Sequence, residues 1–427
     1  MRRVVVTGLG AITPLALNVK DHWDGLLNGR SGIGRITTFD PSEYPTQIAG
    51  EVKGFDPTQF MNFKEARRMA RCSQLAIGAA KEALGDAGLT DALRAGAEAD
   101  RVGVVMGSAI GGFDMALQGV EVIREKGWKR VSPFSVPESL ANMPAHHVSL
   151  HYGAKGFNNS VVTACAAGTQ AVGEAMEAIR WGRAEVILAG GAEAMLLPVC
   201  IIGFSAMRGL STRNDQPERA SRPFDKNRDG FCVGEGAAIL VLEELEHAEA
   251  RGAKIYAEVL GYGASSDAYD VAAPDPVGEG AVRAMRWAIE DAGLKPEQID
   301  YINAHGSSTP IGDAVETLAI KTLFGERAYA IPISSTKSMV GHSFGATGAI
   351  EAISCVMTLR DQIIHPTINY ETPDPACDLD YVPNTARPAV VRYTLSNSFG
   401  LGGQNACLVM GRYPLDSNLE MASTAHE

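Results

Sequence analysis

The sequence predicts an α/β fold of layered sheets and helices, assembled from two copies of one unit. Three observations carry this. Short β-rich runs alternate with Ala-rich helical stretches along the whole chain, the pattern of α/β layering with parallel strands. Each run is bounded by Gly, Pro or Asn, residues that end strands and open turns. An order of segments in the first half then recurs in the second. With 427 residues the chain has room for two large domains or about three of average size, so burying sizeable cores is no constraint.

Taken in order, first-half strands are expected at 102–106, 160–163, 185–189 and 237–242, and second-half strands at 256–260, 300–303, 332–335 and 393–396. Ahead of them, Val4-Val5-Val6 runs into Thr7-Gly8-Leu9-Gly10, read as a tight strand exit because a dinucleotide fingerprint would need a third glycine. Lys81 to Leu89, ending Asp-Ala-Gly-Leu, leads to the run at 100–108; Trp287 to Leu294, with the same ending, leads to the run at 300–307. Asp-Ala-Gly-Leu is also a common helix exit, with Gly at C′. The later elements favour duplication: Cys165-Ala166-Ala167-Gly168-Thr169 and Ser343-Phe344-Gly345-Ala346-Thr347-Gly348-Ala349 each open an Ala-rich helix in corresponding places. The joint falls near Arg251-Gly252-Ala253-Lys254, giving halves at 1–253 and 254–412 and a polar tail at 413–427.

Composition narrows the function. Apolar residues are 45% and charged residues 21% of the chain, which excludes a disordered or collagen-like polymer. The net charge of −12 argues against non-specific nucleic-acid binding, so any acidic partner must meet a local basic patch. No apolar run reaches transmembrane length, and the apolar start is too short for a signal peptide. The seven cysteines are scattered and never spaced C-x-x-C, which indicates neither a disulfide framework nor a zinc ribbon and points to a reducing cytoplasm.

Several residues could carry chemistry. Val161 to Gly168 reads as a β-branched strand turning through small residues into a helix, so Cys165 should sit where unpaired N–H groups and the helix dipole favour a thiolate. This is the nucleophile-elbow arrangement with sulfur in place of oxygen. A small buried cysteine fits that motif equally well. Two histidines change the balance: His305 follows an expected strand in Asn303-Ala304-His305-Gly306, and His342 precedes the second half's helix in Lys337-Ser338-Met339-Val340-Gly341-His342. In such a fold, strand ends and helix starts gather on one face, so all three can meet in a cleft. Cys165 is then expected to be the one cysteine alkylated fast at neutral pH, with burial silencing the others. His146, His147 and His151 invite a metal reading, but no carboxylate or cysteine stands near them in sequence, and a plain helical surface is preferred. The basic run from Lys64 to Arg71 reads as a solvated helix face or as a patch that attracts an acidic partner.

These motifs together resemble the β-ketoacyl-acyl-carrier-protein synthases, type II most closely, within the thiolase-like condensing enzymes. The resemblance covers Val4 to about Arg412 and rests on Val-Thr-Ala-Cys165, Asn-Ala-His305-Gly, Ser-Ser-Thr-Lys337-Ser-Met-Val-Gly-His342, Ser211-Thr-Arg-Asn, Arg222-Pro-Phe-Asp and Ser396-Asn-Ser-Phe399-Gly-Leu-Gly-Gly. It implies a duplicated five-layered α-β-α-β-α fold, a homodimer, and elongation in fatty acid synthesis. Cys165 would take an acyl chain from acyl-carrier protein, with an oxyanion hole at the N–H groups of Cys165 and Leu401. His305 and His342 would assist decarboxylation of malonyl-acyl-carrier protein, without a cofactor or metal, and the product would be a 3-oxoacyl chain two carbons longer. Lys337, Asp313, Glu316 and Glu351 match the family's buried charged network. Ser307 and Thr309 match residues touching the pantetheine arm, and Ile110, Phe399 and Leu401 line the acyl path. Lys64, Arg67, Arg68 and Arg208 match the basic docking surface for the carrier.

This sequence departs from the family pattern at Leu401, where Phe is common, and at Ser307, where Thr is usual. Other readings are a polyketide ketosynthase sharing the triad, a non-catalytic dimer partner, against which Cys165 argues, and, more distantly, a metal hydrolase.

Overall fold

The computed structural model describes residues 1–90 and 97–414, so the tail expected at 413–427 lies outside the described residues beyond Pro414. Its centre is one ten-stranded sheet. In chain order the strands are β1 (Val4–Ile12), β2 (Val102–Gly107), β3 (Asn158–Val161), β4 (Val186–Ala194), β5 (Glu235–Glu244), β6 (Ala257–Ser266), β7 (Tyr301–Asn303), β8 (Ile333–Ser334), β9 (Tyr393–Gly400) and β10 (Gln404–Arg412). In space the order is β8-β7-β9-β10-β6-β1-β5-β4-β2-β3. Outward from the central β1–β6 pair, each half repeats the other. The first two pairings of each half are antiparallel and the last two parallel.

All-parallel strands, the sequence-based expectation, are therefore corrected to a mixed sheet. β9 and β10 form a hairpin closed by Leu401-Gly402-Gly403, with both glycines at positive φ. A tight hairpin can join only antiparallel strands. The run at 160–163 is also shifted: β3 ends at Val161, and the chain beyond it is already turning toward a helix.

The helices that matter are α1 (Arg71–Asp86), α2 (Phe113–Lys126), α3 (Met143–Tyr152), α4 (Ala167–Arg180), α5 (Glu279–Asp291), α6 (Pro310–Phe324) and α7 (Thr347–Asp361). α1 covers the outer face of β1, β5 and β4, and α5 covers that of β6 and β10. α4 and α7 pack on each other between the two half-sheets, which completes the five-layered thiolase-like arrangement. The sequence fits these positions. α7 is buried continuously from Thr347 to Leu359, as a middle-layer helix must be, whereas α1 and α5 bury Ala-rich faces and expose charged ones.

Gly8 and Gly10 do not end a strand; β1 runs through both. A Cβ on Gly10 would lie 2.0 Å from the Ala79 carbonyl and one on Gly8 2.3 Å from that of Ala83, so glycine lets α1 lie against the strand. The second half repeats the device, with Gly263 and Gly261 against the carbonyls of Ala284 and Ala288 at 2.3 and 2.2 Å. No helix among the described residues is long and apolar enough to cross a membrane.

Candidate active site

β3 ends at Val161, and the chain reverses through Thr163 and Ala164 into a 3₁₀ turn, Ala164–Ala166, that runs into α4. Ala164 has φ 49°, a left-handed conformation costly for a residue with a Cβ. This turn sets Cys165 at the start of the helix, with Sγ 3.0 Å from His342 Nε2. The backbone N–H groups of Leu401 and of Cys165 itself favour a thiolate, as does the field of Lys337. Burial outweighs all three and pushes the thiol up to about 11, with Glu193 adding to the rise. The thiolate expected from helix placement is thus corrected: in the free protein desolvation wins over the helix terminus.

His342 follows Gly341, whose φ of 74° turns the chain back toward the sulfur. Its backbone N–H donates to Cys232 O at 2.7 Å, its Nδ1 meets Thr347 Oγ1 at 3.1 Å, and its ring stacks on Phe344 with centroids 4.7 Å apart. These contacts leave Nε2 to face Cys165. His305, just beyond β7, stands perpendicular to His342 at a centroid distance of 5.4 Å. Its Nδ1 accepts the Phe399 N–H at 3.3 Å, which assigns the ring proton to Nε2. Burial holds both imidazoles well below the ordinary histidine range, and the Lys337 ammonium adds to the effect. Both rings are neutral at pH 7.

The expected charged network divides in two. Lys337 Nζ donates to His305 O and to Glu351 Oε1, each at 2.5 Å, and burial pushes the Glu351 carboxyl up to about 7. Glu316 accepts the N–H groups of His305 and Gly306 at 2.8 and 2.7 Å, so it grips the same loop from the other side. Asp313 belongs elsewhere. It accepts from Ser308 and Phe224 at 3.0 and 2.8 Å and faces Arg228 at 3.7 Å.

Apolar residues surround Cys165: Met195, Leu196, Ile201, Leu210 and Phe344, with Ile110 and Phe204 packed against them. Ser307 Oγ lies 3.1 Å from Thr309 Oγ1, and Thr309 caps α6. Leu401 is partly exposed in the β9–β10 turn, and Phe399 is half-buried with its ring centroid 5.8 Å from that of His305.

Lys64, Arg67 and Arg68 are exposed, as is Arg208 on a separate segment. The run from Lys64 to Arg71 is not one helix face, however. A short helix stops at Ala66, a new one starts at Arg71, and Arg71 forms an ion pair with buried Glu235 at 2.7 Å. The histidines of α3 also differ from expectation: a carboxylate does reach them, since Glu138 Oε2 lies 2.9 Å from His147 Nε2. Nor does burial single out Cys165, because all seven cysteines are buried. Contact with an imidazole does.

Glu193, on β4, escaped the sequence reading. It is fully buried and accepts from Ser108 Oγ and Gly345 N, each at 3.2 Å, and from Ala109 N. The signal was present: one carboxylate inside the apolar run of a strand buried on both faces.

The family model described as Beta-ketoacyl synthase, N-terminal domain, matches residues 1–248, and that for the C-terminal domain matches 256–371. A 3-oxoacyl-[acyl-carrier-protein] synthase 2 of Synechocystis sp. is 51% identical over 413 residues, spanning 96% of this chain and 98% of its own. The crystal structure of a beta-ketoacyl synthase from Burkholderia phymatum superposes with a TM-score of 0.88 at 39% identity, covering 96% of this chain and 100% of that one. A type II polyketide acyl-carrier protein in complex with its ketosynthase bound to the hexaketide gives 0.86 at 37%, covering 96% and 99%.

Proposed function

The chain belongs to the β-ketoacyl synthase family of condensing enzymes, and we propose that it catalyses decarboxylative Claisen condensation between an acyl chain held on Cys165 and malonyl-acyl-carrier protein, the elongation step of fatty acid synthesis. The observation that carries this reading is the 3.0 Å contact between Cys165 Sγ and His342 Nε2, with His305 beside it.

Cys165 attacks the thioester of acyl-carrier protein. A sulfur nucleophile suits thioester exchange, and the attacked carbonyl becomes an oxyanion held by the N–H groups of Cys165 and Leu401. His342 relieves the thiol of its proton, and the pantetheine thiol leaves with it. Once sulfur is acylated, the His342 ring proton moves by tautomer exchange from Nδ1 to Nε2, with Nδ1 then accepting the Thr347 hydroxyl, so that Nε2 can donate, alongside His305 Nε2, to the carbonyl oxygen of the malonyl thioester. CO₂ departs, both hydrogen bonds strengthen onto the enolate oxygen, and the enolate carbon attacks the acyl-Cys165 carbonyl; the C–S bond breaks, the 3-oxoacyl chain leaves on the carrier, and the Cys165 thiolate regains a proton from solvent. Neutral rings suit this work, because an N–H donor stabilises the enolate without protonating it outright. Lys337 contributes its field and, with Glu316, the grip on the His305 loop; Glu351 anchors Lys337, while Asp313 with Arg228 holds the next turn.

Under this reading Ser307 and Thr309 meet the pantetheine arm, Ile110, Phe399 and Leu401 meet the acyl path, and Lys64, Arg67, Arg68 and Arg208 meet the acidic carrier. No cofactor enters the chemistry. The halves at 1–253 and 254–412 would act as one unit, since the nucleophile comes from the first and both imidazoles from the second. The family resemblance favours a homodimer, and the edge strand β3, with exposed Asn158 and, just beyond its end, exposed Val162, supplies a sheet edge for pairing. A cytoplasmic location fits seven unpaired thiols.

A second reading, a polyketide ketosynthase, draws on the complex noted above, at 37% identity against 51% for the fatty-acid relative. Purified protein incubated with acyl- and malonyl-acyl-carrier protein tests both. One condensation per chain, giving a 3-oxoacyl product two carbons longer with CO₂, is the expected result. Repeated unreduced condensation would favour the second reading, and absence of any acyl adduct on Cys165 would overturn both.

A further inference from the structure

We propose that Glu193 is a positioning residue that couples the acyl pocket to the catalytic histidine, so that chain-length selection and decarboxylation depend on one buried carboxylate. On one side Oε1 accepts from Ser108 Oγ at 3.2 Å and from Ile110 N at 3.5 Å, and Oε2 accepts from Ala109 N. On the other side Oε2 accepts from Gly345 N at 3.2 Å. The first set fixes the turn that carries Ile110 into the apolar cluster around Cys165. The second fixes the residue after Phe344, whose ring stacks on His342.

The two turns touch directly. A Cβ on Gly345 would lie 2.5 Å from Ser108 Cα, 2.6 Å from Ala109 N and 2.7 Å from Glu193 Oε2, so the contact leaves no room for a side chain at Gly345. Ser108 extends the grip by accepting Gly111 N at 3.0 Å. Glu193 touches neither sulfur nor imidazole in the proposed chemistry. Its effect passes through Ile110 and Phe344.

The inference rests on the function proposed above, and the test keeps the two apart. If wild-type protein forms no acyl-Cys165, the function fails; the inference is judged on variants of a wild type that does. Two readouts are needed: the ratio of single-turnover loading rates for a short and a long acyl chain, and unprimed decarboxylation of malonyl-acyl-carrier protein. A ratio measured on one sample does not depend on how much of it is folded. Glu193→Gln keeps the volume and one acceptor oxygen but turns an NH₂ toward backbone donors. It is expected to shift the ratio by about tenfold and to slow decarboxylation by about tenfold or more. Ser108→Ala removes only a pocket-side contact and should shift the ratio in the same direction by less. Folded Glu193→Gln in which neither readout moves, or only one, overturns the coupling. Should Glu193→Gln fail to fold, Ser108→Ala decides alone, and an unchanged ratio there overturns it.

Discussion

The starts of α4 and α7 are the same structure put to different uses. Each is opened by a 3₁₀ turn whose first residue has positive φ, Ala164 at 49° and Phe344 at 42°. The next residue is Cys165 in the first half and Gly345 in the second. At Cys165 a side chain projects toward two imidazoles. At Gly345 the corresponding space is filled by Ser108, Ala109 and Glu193 of the first half. Three residues further on, Gly168 and Gly348 let the helices meet, each Cβ position lying within 3 Å of atoms of the other helix or the turn before it. A duplicated backbone therefore provides two equivalent corners, and side-chain asymmetry makes one the proposed nucleophile and the other its wall.

The largest effects should come from breaking that asymmetry at its chemical end. Cys165→Ala is expected to abolish condensation, a loss on the order of 10³-fold or more, with no acyl adduct visible by mass spectrometry. Persistent turnover would remove the nucleophile assignment. Next come the imidazoles of the other half. His305→Ala or His342→Ala should slow malonyl decarboxylation by about 10²-fold or more while sparing acyl loading to a larger extent. Normal decarboxylation with failed loading in both variants would reverse the division of labour.

The shift at Cys165 predicts a pH dependence. With the thiol pushed up to about 11, the reactive thiolate grows as pH rises toward that value. Alkylation of Cys165 by iodoacetamide in the free protein should then accelerate about tenfold per pH unit between pH 7 and 9. A rate that is already maximal at pH 7 would mean that the helix start and Lys337 win over burial. The wall corner is tested by Gly345→Ala, which pushes a Cβ into backbone and should cost about 1–3 kcal/mol of stability. Gly203→Ala, where a Cβ meets nothing within 4 Å, serves as the control. Equal melting temperatures for the two variants would show that the corner is more open than its geometry.

Much of this was legible in the residues. Alternating runs and the paired helix starts indicated a duplicated α/β fold, and the loops of Cys165, His305 and His342 pointed to one cleft. Three things were not legible, for physical reasons. Strand direction is set by connections, and nothing in Tyr393 to Arg412 announced a hairpin until Gly402 and Gly403 were seen at positive φ. Gly8 and Gly10 look like a turn, because the helix whose carbonyls exclude a side chain there lies some 70 residues away in sequence. The cysteine's ionisation depends on burial contributed by both halves, which motif spacing does not encode; the same holds for Glu193, whose donors come from the loops at 108–110 and at Gly345.

The same comparison asks which half sets chain length, and here the expected effect is smallest. The link from the fourth to the fifth strand of each half differs. In the first half it is the long excursion 195–234, which walls the apolar cluster, and in the second it is the three-residue turn carrying Leu401. Ile110 represents the first half's contribution and Leu401 the second's. Leucine is smaller than the phenylalanine that is common here, and the flanking glycines leave the turn free to move. Medium and long chains should therefore load with little discrimination, and Leu401→Phe should sharpen the preference without abolishing activity. One or two methylenes in an apolar pocket are worth about 1–3 kcal/mol, so the relative kcat/KM for two chain lengths should move by about tenfold. Acyl-carrier proteins of graded chain length, competed in one reaction and read by mass spectrometry, give that ratio. A profile unchanged in Leu401→Phe but altered in Ile110→Phe would assign chain length to the first half and leave the hairpin turn only its oxyanion donor.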